Sequence, residues 1–223
     1  VRIFLLSVFS LSLATPGWPL SAGTESMRPP ADPAALLARV DSHYNHLNSL
    51  RARYIEQYRG LGLTRTESGT LLLKRPGRML WQYDQPRGKV FVLDGKYAWF
   101  YTPGDAQASR APAKQLDDLR TPLRFLLGHT ELQKELDGVA VESHGDAGFG
   151  IAGVPRGMQS RLRQLRLEVN AAGQITHMQM EETDGAVTKF TFSNIEENVP
   201  VKDGDFTFTP PPGVTVVNAL PPI

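Results

Sequence analysis

His43 and His46 stand three residues apart and are the pair whose type and spacing come nearest to a metal-binding chemistry. A zinc site needs at least a third donor set by spacing, and neither a carboxylate nor another histidine is so marked, so both rings are expected to face solvent. Gly148-Phe149-Gly150 has the glycine content of a phosphate loop. It lacks the strand-to-helix setting that would turn backbone N–H groups toward an anion, so a turn or loop is expected there. No G-x-S-x-G elbow, P-loop, G-x-G-x-x-G turn or H-E-x-x-H helix occurs, and nothing nominates a nucleophile. The chain also has no cysteine, which removes thiol catalysis, thiolate metal sites, disulfide staples and lipid attachment through cysteine. The expectation is a protein that is not an enzyme and uses no cofactor or metal.

The apolar side chains carry more information. Met79, Trp81 and Tyr83 alternate with Arg78, Gln82 and Asp84, with Leu80 as the exception, as expected for a strand with one buried face. Phe91 and Leu93, then Tyr97, Trp99 and Tyr101, are expected to extend that face, and Phe190 and Phe192 supply a similar pair later in the chain. Aromatics at strand spacing can be a filled core or the wall of a ligand cavity. A two-sheet sandwich would bury them without a hole, whereas one curved sheet with few helices would have an inner face larger than those helices can fill.

The elements that must position these residues follow from turn chemistry. Asp32-Pro33 reads as an N-cap with proline at the first helical position, followed by a stripe of Leu36, Leu37, Val40, Tyr44 and Leu47, with Arg39, Asp41, Ser42 and Asn45 away from it. Strands are expected at 50–58, 67–74, 78–84, 89–93 and 96–101, then at 161–170, 174–182 and 187–195, joined by Pro/Gly and Asp-Gly turns. Residues 116–127 have a helical apolar pattern that Pro122 breaks or kinks and Gly128 ends, while 137–157 is glycine-rich and reads only as strand or loop.

With 223 residues, 41% hydrophobic and 21% charged, the chain is expected to form one domain of ordinary globular composition. Its first residues carry one positive charge, Arg2, and then a short apolar run that ends near Pro16-Gly17, which reads as a secretory signal cut near Ala22. Losing that segment would leave 23 basic and 23 acidic residues, so no net field draws the protein to nucleic acid.

Three blocks stand out in order along the chain. The first runs from Gly69 through Lys74-Arg75-Pro76-Gly77 and Trp81-Gln82-Tyr83-Asp84 to Pro86, and the second from Leu93-Asp94-Gly95-Lys96 through Trp99-Phe100-Tyr101 to Pro103. The third is Phe206-Thr207-Phe208-Thr209-Pro210-Pro211-Pro212-Gly213-Val214, and in this order the three resemble the outer-membrane lipoprotein carrier (LolA) family. Thr121-Pro122-Leu123 and the residues to Leu127 are similar to the family's central helix, so the resemblance covers residues 33–217.

The resemblance implies a mainly β (α+β) fold, an incomplete antiparallel β-barrel with helices forming a lid over an apolar cavity. Residues 1–22 would be a cleaved signal peptide, 23–32 a leader, 33–217 the carrier domain and 218–223 a tail. Arg75, which on its own reads as an exposed strand arginine, would latch the lid through backbone carbonyls. The acyl-chain cavity would be lined by Met79, Trp81, Tyr83, Phe91, Leu93, Trp99, Tyr101, Leu123, Leu126, Phe190 and Phe192. The implied protein is a periplasmic chaperone, acting as a monomer, that takes acylated lipoproteins from an inner-membrane lipoprotein-releasing ABC transporter to an outer-membrane lipoprotein receptor. The alternative is an envelope lipid-binding sensor or receptor domain of the same fold. A receptor of this pathway would need a cysteine for its own lipid anchor, and a sensor would carry a second domain.

Overall fold

A computed structural model describes residues 32–115 and 131–219. The proposed signal segment, the leader up to residue 31, Leu123, Leu126, the expected helix at 116–127 and residues 220–223 of the tail lie outside the described residues. Among the described residues, no helix is long and apolar enough to cross a membrane.

Helix α1 spans Pro33–Asn45. It begins as its sequence requires: the Asp32 side chain accepts from the Ala34 amide at 3.0 Å, and proline occupies the first turn, where an N–H would have had no partner. Twelve strands follow among the described residues: β1 (Ser49–Gly60), β2 (Leu63–Lys74), β3 (Arg78–Gln85), β4 (Val90–Asp94), β5 (Tyr97–Tyr101), β6 (Gln107–Pro112), β7 (Leu136–Ser143), β8 (Gly148–Pro155), β9 (Leu162–Asn170), β10 (Ile175–Glu182), β11 (Val187–Glu197) and β12 (Thr215–Asn218). A short helix, α2 (Leu132–Glu135), precedes β7. All twelve strands form one sheet, in the order β12-β6-β5-β4-β3-β2-β1-β11-β10-β9-β8-β7. Neighbours pair antiparallel except β12, which runs parallel to β6. The sheet is open and curved, so the sandwich is excluded. The glycine-rich stretch, whose sequence fits either strand or loop, is the hairpin β7–β8, with strands that pair from Leu136↔Pro155 to Ser143↔Phe149; this corrects the turn or loop expected at Gly148-Phe149-Gly150, which opens β8.

Pairing register assigns the two faces, because residues directly opposite one another share a side. One row runs Leu71↔Trp81↔Phe91↔Phe100, and the next runs Leu73↔Met79↔Leu93↔Ala98. On the other flank of β1, Tyr54 faces Phe192, and Phe190 faces Met178 and, through it, Leu167 and Ile151. These residues, with Leu37, Val40 and Tyr44 of α1, form one buried apolar cluster, so α1 covers the inner face of the sheet. Burying Leu37 and Val40 stabilises that seat by about 1.5–3 kcal/mol each.

The opposite face carries the row Leu72↔Leu80↔Val92↔Trp99↔Arg110. This corrects the expected facing of Trp99 and, with it, Tyr97 and Tyr101. They point away from Trp81 and Phe91, and Trp99 and Tyr101 each lie 5.7 Å from the Phe208 ring. Every residue of Tyr97-Ala98-Trp99-Phe100-Tyr101 is apolar or aromatic, so alternation cannot fix the phase of the strand. Register with β4 does. The C-terminal segment covers this outer face, and its turn Asp203–Phe206 seats a fully buried Phe206 over β3 and β4.

Gly69 explains how a tyrosine fits flat on the inner face. A Cβ at this position would overlap the Gln82 carbonyl and lie 2.8 Å from the Tyr54 hydroxyl, so only a residue without one admits both neighbours.

The Tyr44 hydroxyl accepts from the Ile175 amide at 2.7 Å, in a buried setting that pushes the phenol's pKa upward and keeps it neutral. Tyr44→Phe leaves that buried amide without an acceptor. The expected loss is about 1–3 kcal/mol of unfolding free energy, read from urea denaturation, with little change in the slope.

Candidate functional site: a covered aromatic face with an arginine at its rim

The centre of the inner face is aromatic. Tyr54 and Trp81 meet edge to face with centroids 4.6 Å apart, Trp81 and Phe190 lie 5.4 Å apart, and Phe190 and Phe192 stack at 6.1 Å. Met79, Trp81, Tyr83, Phe91, Leu93, Phe190 and Phe192 are thus brought together on one side and buried. Trp99 and Tyr101 are not in this group.

Helix α1 is fastened to the sheet on both flanks. Toward β9–β11, Arg39 donates to the Ala171 carbonyl, Tyr44 accepts from Ile175, and His43 Nε2 lies 2.9 Å from Glu197 Oε1. Glu197 also accepts from Gln174 Nε2 at 2.8 Å. This corrects the solvent-facing expectation for His43, which is half-buried beside Tyr44 while His46 stays exposed. No partner for His43 is visible in the sequence because Glu197 is distant in the chain. Among the described residues, no group of three or more His, Asp or Glu is placed to hold a metal ion. Asp41 joins α1 to α2 by accepting from the Leu132 amide at 3.0 Å.

Toward β2 and β3, the fastening is Arg75. It follows the last residue of β2, and its Nη1 donates to the Asn45 carbonyl in the last turn of α1, while its own amide donates to Asn48 O at 2.9 Å. The final carbonyls of a helix have no intrahelical donor, and a guanidinium supplies one with a charge that also suits that end of the helix dipole. Lys74 and Arg78, paired directly across the base of the same turn, would repel each other. Asp203 from the C-terminal segment lies against both, bonded to Lys74 and 3.3 Å from Arg78, and these two cations hold its carboxyl below the usual range.

Asp94 orders the next turn. Burial opposes its ionisation, but donation from the Tyr97 amide at 2.6 Å, the Trp99 indole at 2.9 Å and the Lys96 amide at 2.8 Å, with Arg78 nearby, outweighs that and lowers its pKa. Trp99 is therefore a turn-bracing residue of the outer face.

Sequence reasoning missed a buried charged cluster at one end of the inner face. Glu56 and Glu67 are directly opposed on β1 and β2, Lys89 Nζ lies 2.6 Å from Glu67 Oε2, and Arg65 Nε lies 3.4 Å from Glu67 Oε1. Burial first, and then the neighbouring Glu67, push the Glu56 carboxyl above its ordinary range. The only cue in the sequence was a glutamate at each of two inward-facing strand positions, visible once the register is known.

A curved, open antiparallel sheet whose aromatic inner face is covered by a helix defines a mainly β protein of the half-barrel, lidded class. Residues 45–209 match the family model described as outer membrane lipoprotein carrier protein LolA, and the chain belongs to that family. It is 31% identical over 179 residues to an outer-membrane lipoprotein carrier protein of Sodalis glossinidius, covering 79% of this chain and 85% of the relative. It is 30% identical over 155 residues to the protein of that name from Nitrosomonas europaea, covering 69% and 73%. In fold it is similar to an uncharacterized conserved protein of Thermus thermophilus, with TM-score 0.52, 12% identity, and 83% and 98% of the two chains covered.

Asp203→Asn removes the anion between Lys74 and Arg78, and the Arg75 amide is expected to exchange hydrogen faster, read by mass spectrometry of a peptide that begins at least three residues before it. Because folding lowers this carboxyl's pKa, its contribution is complete above the unfolded value of about 3.9 and disappears as pH falls through the folded one. Wild type and variant should therefore exchange alike in strong acid and differ at neutral pH.

Proposed function

We propose that this protein is a periplasmic carrier of acylated lipoproteins that shelters their acyl chains against the inner face of the sheet beneath α1. The observation that carries the reading is the buried aromatic face around Trp81 and Phe190, closed over by a helix that Arg75 fastens at one rim. An acyl chain of about 14 carbons left in water costs on the order of 10 kcal/mol, at about 0.8 kcal/mol per methylene, and contact with such a face removes most of it. The cargo would come from an inner-membrane lipoprotein-releasing ABC transporter and leave to an outer-membrane lipoprotein receptor. The carrier acts as a monomer and hydrolyses nothing, because exchange of hydrocarbon between apolar surfaces needs no bond making.

In this reading Arg75 is the latch of the covering helix. The carbonyl it holds can return to water when the helix lifts, so the bond favours closure and remains breakable. Met79, Trp81, Tyr83, Phe91, Leu93, Phe190 and Phe192 contact the chains. Leu123 and Leu126 belong to the same proposal on the strength of the family resemblance. Trp99 and Tyr101 do not, since their strand register turns them outward.

Arg75→Leu keeps bulk and removes every donor, so the closed state should lose roughly 1.5–3 kcal/mol for the charged bond. The variant is expected to load lipoprotein yet deliver it poorly to the receptor in a reconstituted transfer assay; equal delivery by variant and wild type would sink the latch. Trp81 and Trp99 separate the faces. In variants retaining a single tryptophan, a fatty acid carrying a spin label on its chain should quench Trp81 strongly and leave Trp99 nearly unquenched; equal quenching would exclude the inner face as the lipid site.

A further inference from the structure

The inner face is not apolar throughout. Along β1, Leu50, Ala52 and Tyr54 share a side with Glu56, and on that side hydrocarbon gives way to charge. Glu67 is 4% exposed and Lys89 8%, paired at 2.6 Å, with Lys89 Nζ also 4.4 Å from the centre of the Tyr83 ring. On the other flank of β1 the same level of the sheet stays apolar, because Glu56 is opposed there by Phe190, and Phe190 by Met178 and then Leu167.

The chemistry of the two flanks is therefore opposite. A chain end lying over Phe190, Met178 and Leu167 meets only carbon and sulfur. One lying over Glu67 and Lys89 would strip polar neighbours from an ion pair that has little water to begin with, and the Tyr83 ring beside Lys89 is already engaged with the ammonium.

We propose that Glu56, Glu67 and Lys89 form a barrier within the acyl-binding face, keeping hydrocarbon out of its β2–β4 end and directing chain termini along Phe190, Met178 and Leu167. This rests on the reading that the inner face takes acyl chains. It assigns a role to a charged group that a seat for hydrocarbon does not otherwise need.

The test uses a long-chain fatty acid bearing a photoreactive diazirine on its terminal carbon, bound to the full chain, irradiated and mapped by peptide mass spectrometry. Wild-type crosslinks should favour the peptides of β9–β11 over residues 56–67 and 89 by more than tenfold, since each methylene moved from an apolar to a polar wall shifts the partition by about fourfold. Glu67→Leu with Lys89→Met replaces the pair by apolar groups together, leaving Glu56 with Arg65 3.9 Å away, and should bring crosslinks onto residues 56–67. Glu67→Gln with Lys89→Gln keeps the wall polar and should retain the wild-type map. Comparable labelling of both flanks in the wild type, or an unchanged map in the apolar pair, overturns the barrier and leaves the carrier reading standing. Absence of labelling in every protein overturns both. The wild-type map decides the matter even if the apolar pair does not fold.

Discussion

A sheet that curves without closing leaves two apolar surfaces to be covered, and the rest of this structure depends on how each is met. The outer face is covered from within the chain: Phe206 is fully buried over β3 and β4, and Phe208 packs on Trp99 and Tyr101. Large rings on that side need only a short extended segment above them. The inner face is wider, because it receives rows of side chains from strands on both flanks of β1, and α1 contributes only Leu37, Val40 and Tyr44 as buried side chains there. Among the described residues, helical cover so narrow on a face so broad is the physical basis for proposing the inner face as a seat for apolar cargo.

The two fastenings of α1 differ in kind. On the β9–β11 flank, Tyr44 holds a strand amide from inside the core, and Arg39 and His43 add polar contacts around it. Lifting that side would expose apolar surface and orphan a buried amide. On the β2 flank, Arg75 reaches a helix-terminal carbonyl from a turn at the rim. Breaking it returns a guanidinium and a carbonyl to water, where both are well solvated. The arginine side is therefore the weaker one, and if the helix lifts as proposed, rotation about the stronger side would be the cheapest way to open it. Asp203 supports this arrangement by screening Lys74 from Arg78, which keeps the turn carrying Arg75 intact.

Much of this was legible in the residues. Asp32-Pro33 set the start of α1, the strands from β1 to β5 and β9 to β11 lie close to where turn chemistry placed them, and alternation put Met79, Trp81 and Tyr83 on one buried face. Failures came where local pattern carries no information. Tyr97 to Tyr101 is apolar in both phases, so its facing depends on pairing with β4. The hairpin β7–β8 was obscured by glycines, of which Gly148 is fixed by close approach to the Val169 carbonyl of the neighbouring strand. His43–Glu197 becomes visible only through the topology that brings β1 between β2 and β11, and Glu67–Lys89 only through the register of the consecutive strands β2, β3 and β4.

A face built in this way discriminates by solubility more than by shape. Trp81, Phe190, Phe192 and Met178 offer dispersion and the release of water, neither of which has a preferred direction, so on the proposed carrier reading many acyl chains would fit and the attached protein would need no recognition. Binding of that kind cannot by itself move cargo in one direction. On that reading a chain would leave only when the receiving surface lowers its free energy further, or when the cover costs more to keep open than closed. Directional groups are therefore expected at the boundary of the face and not at its centre, and that is where Arg75, Asp41, His43 and the Glu67–Lys89 pair lie.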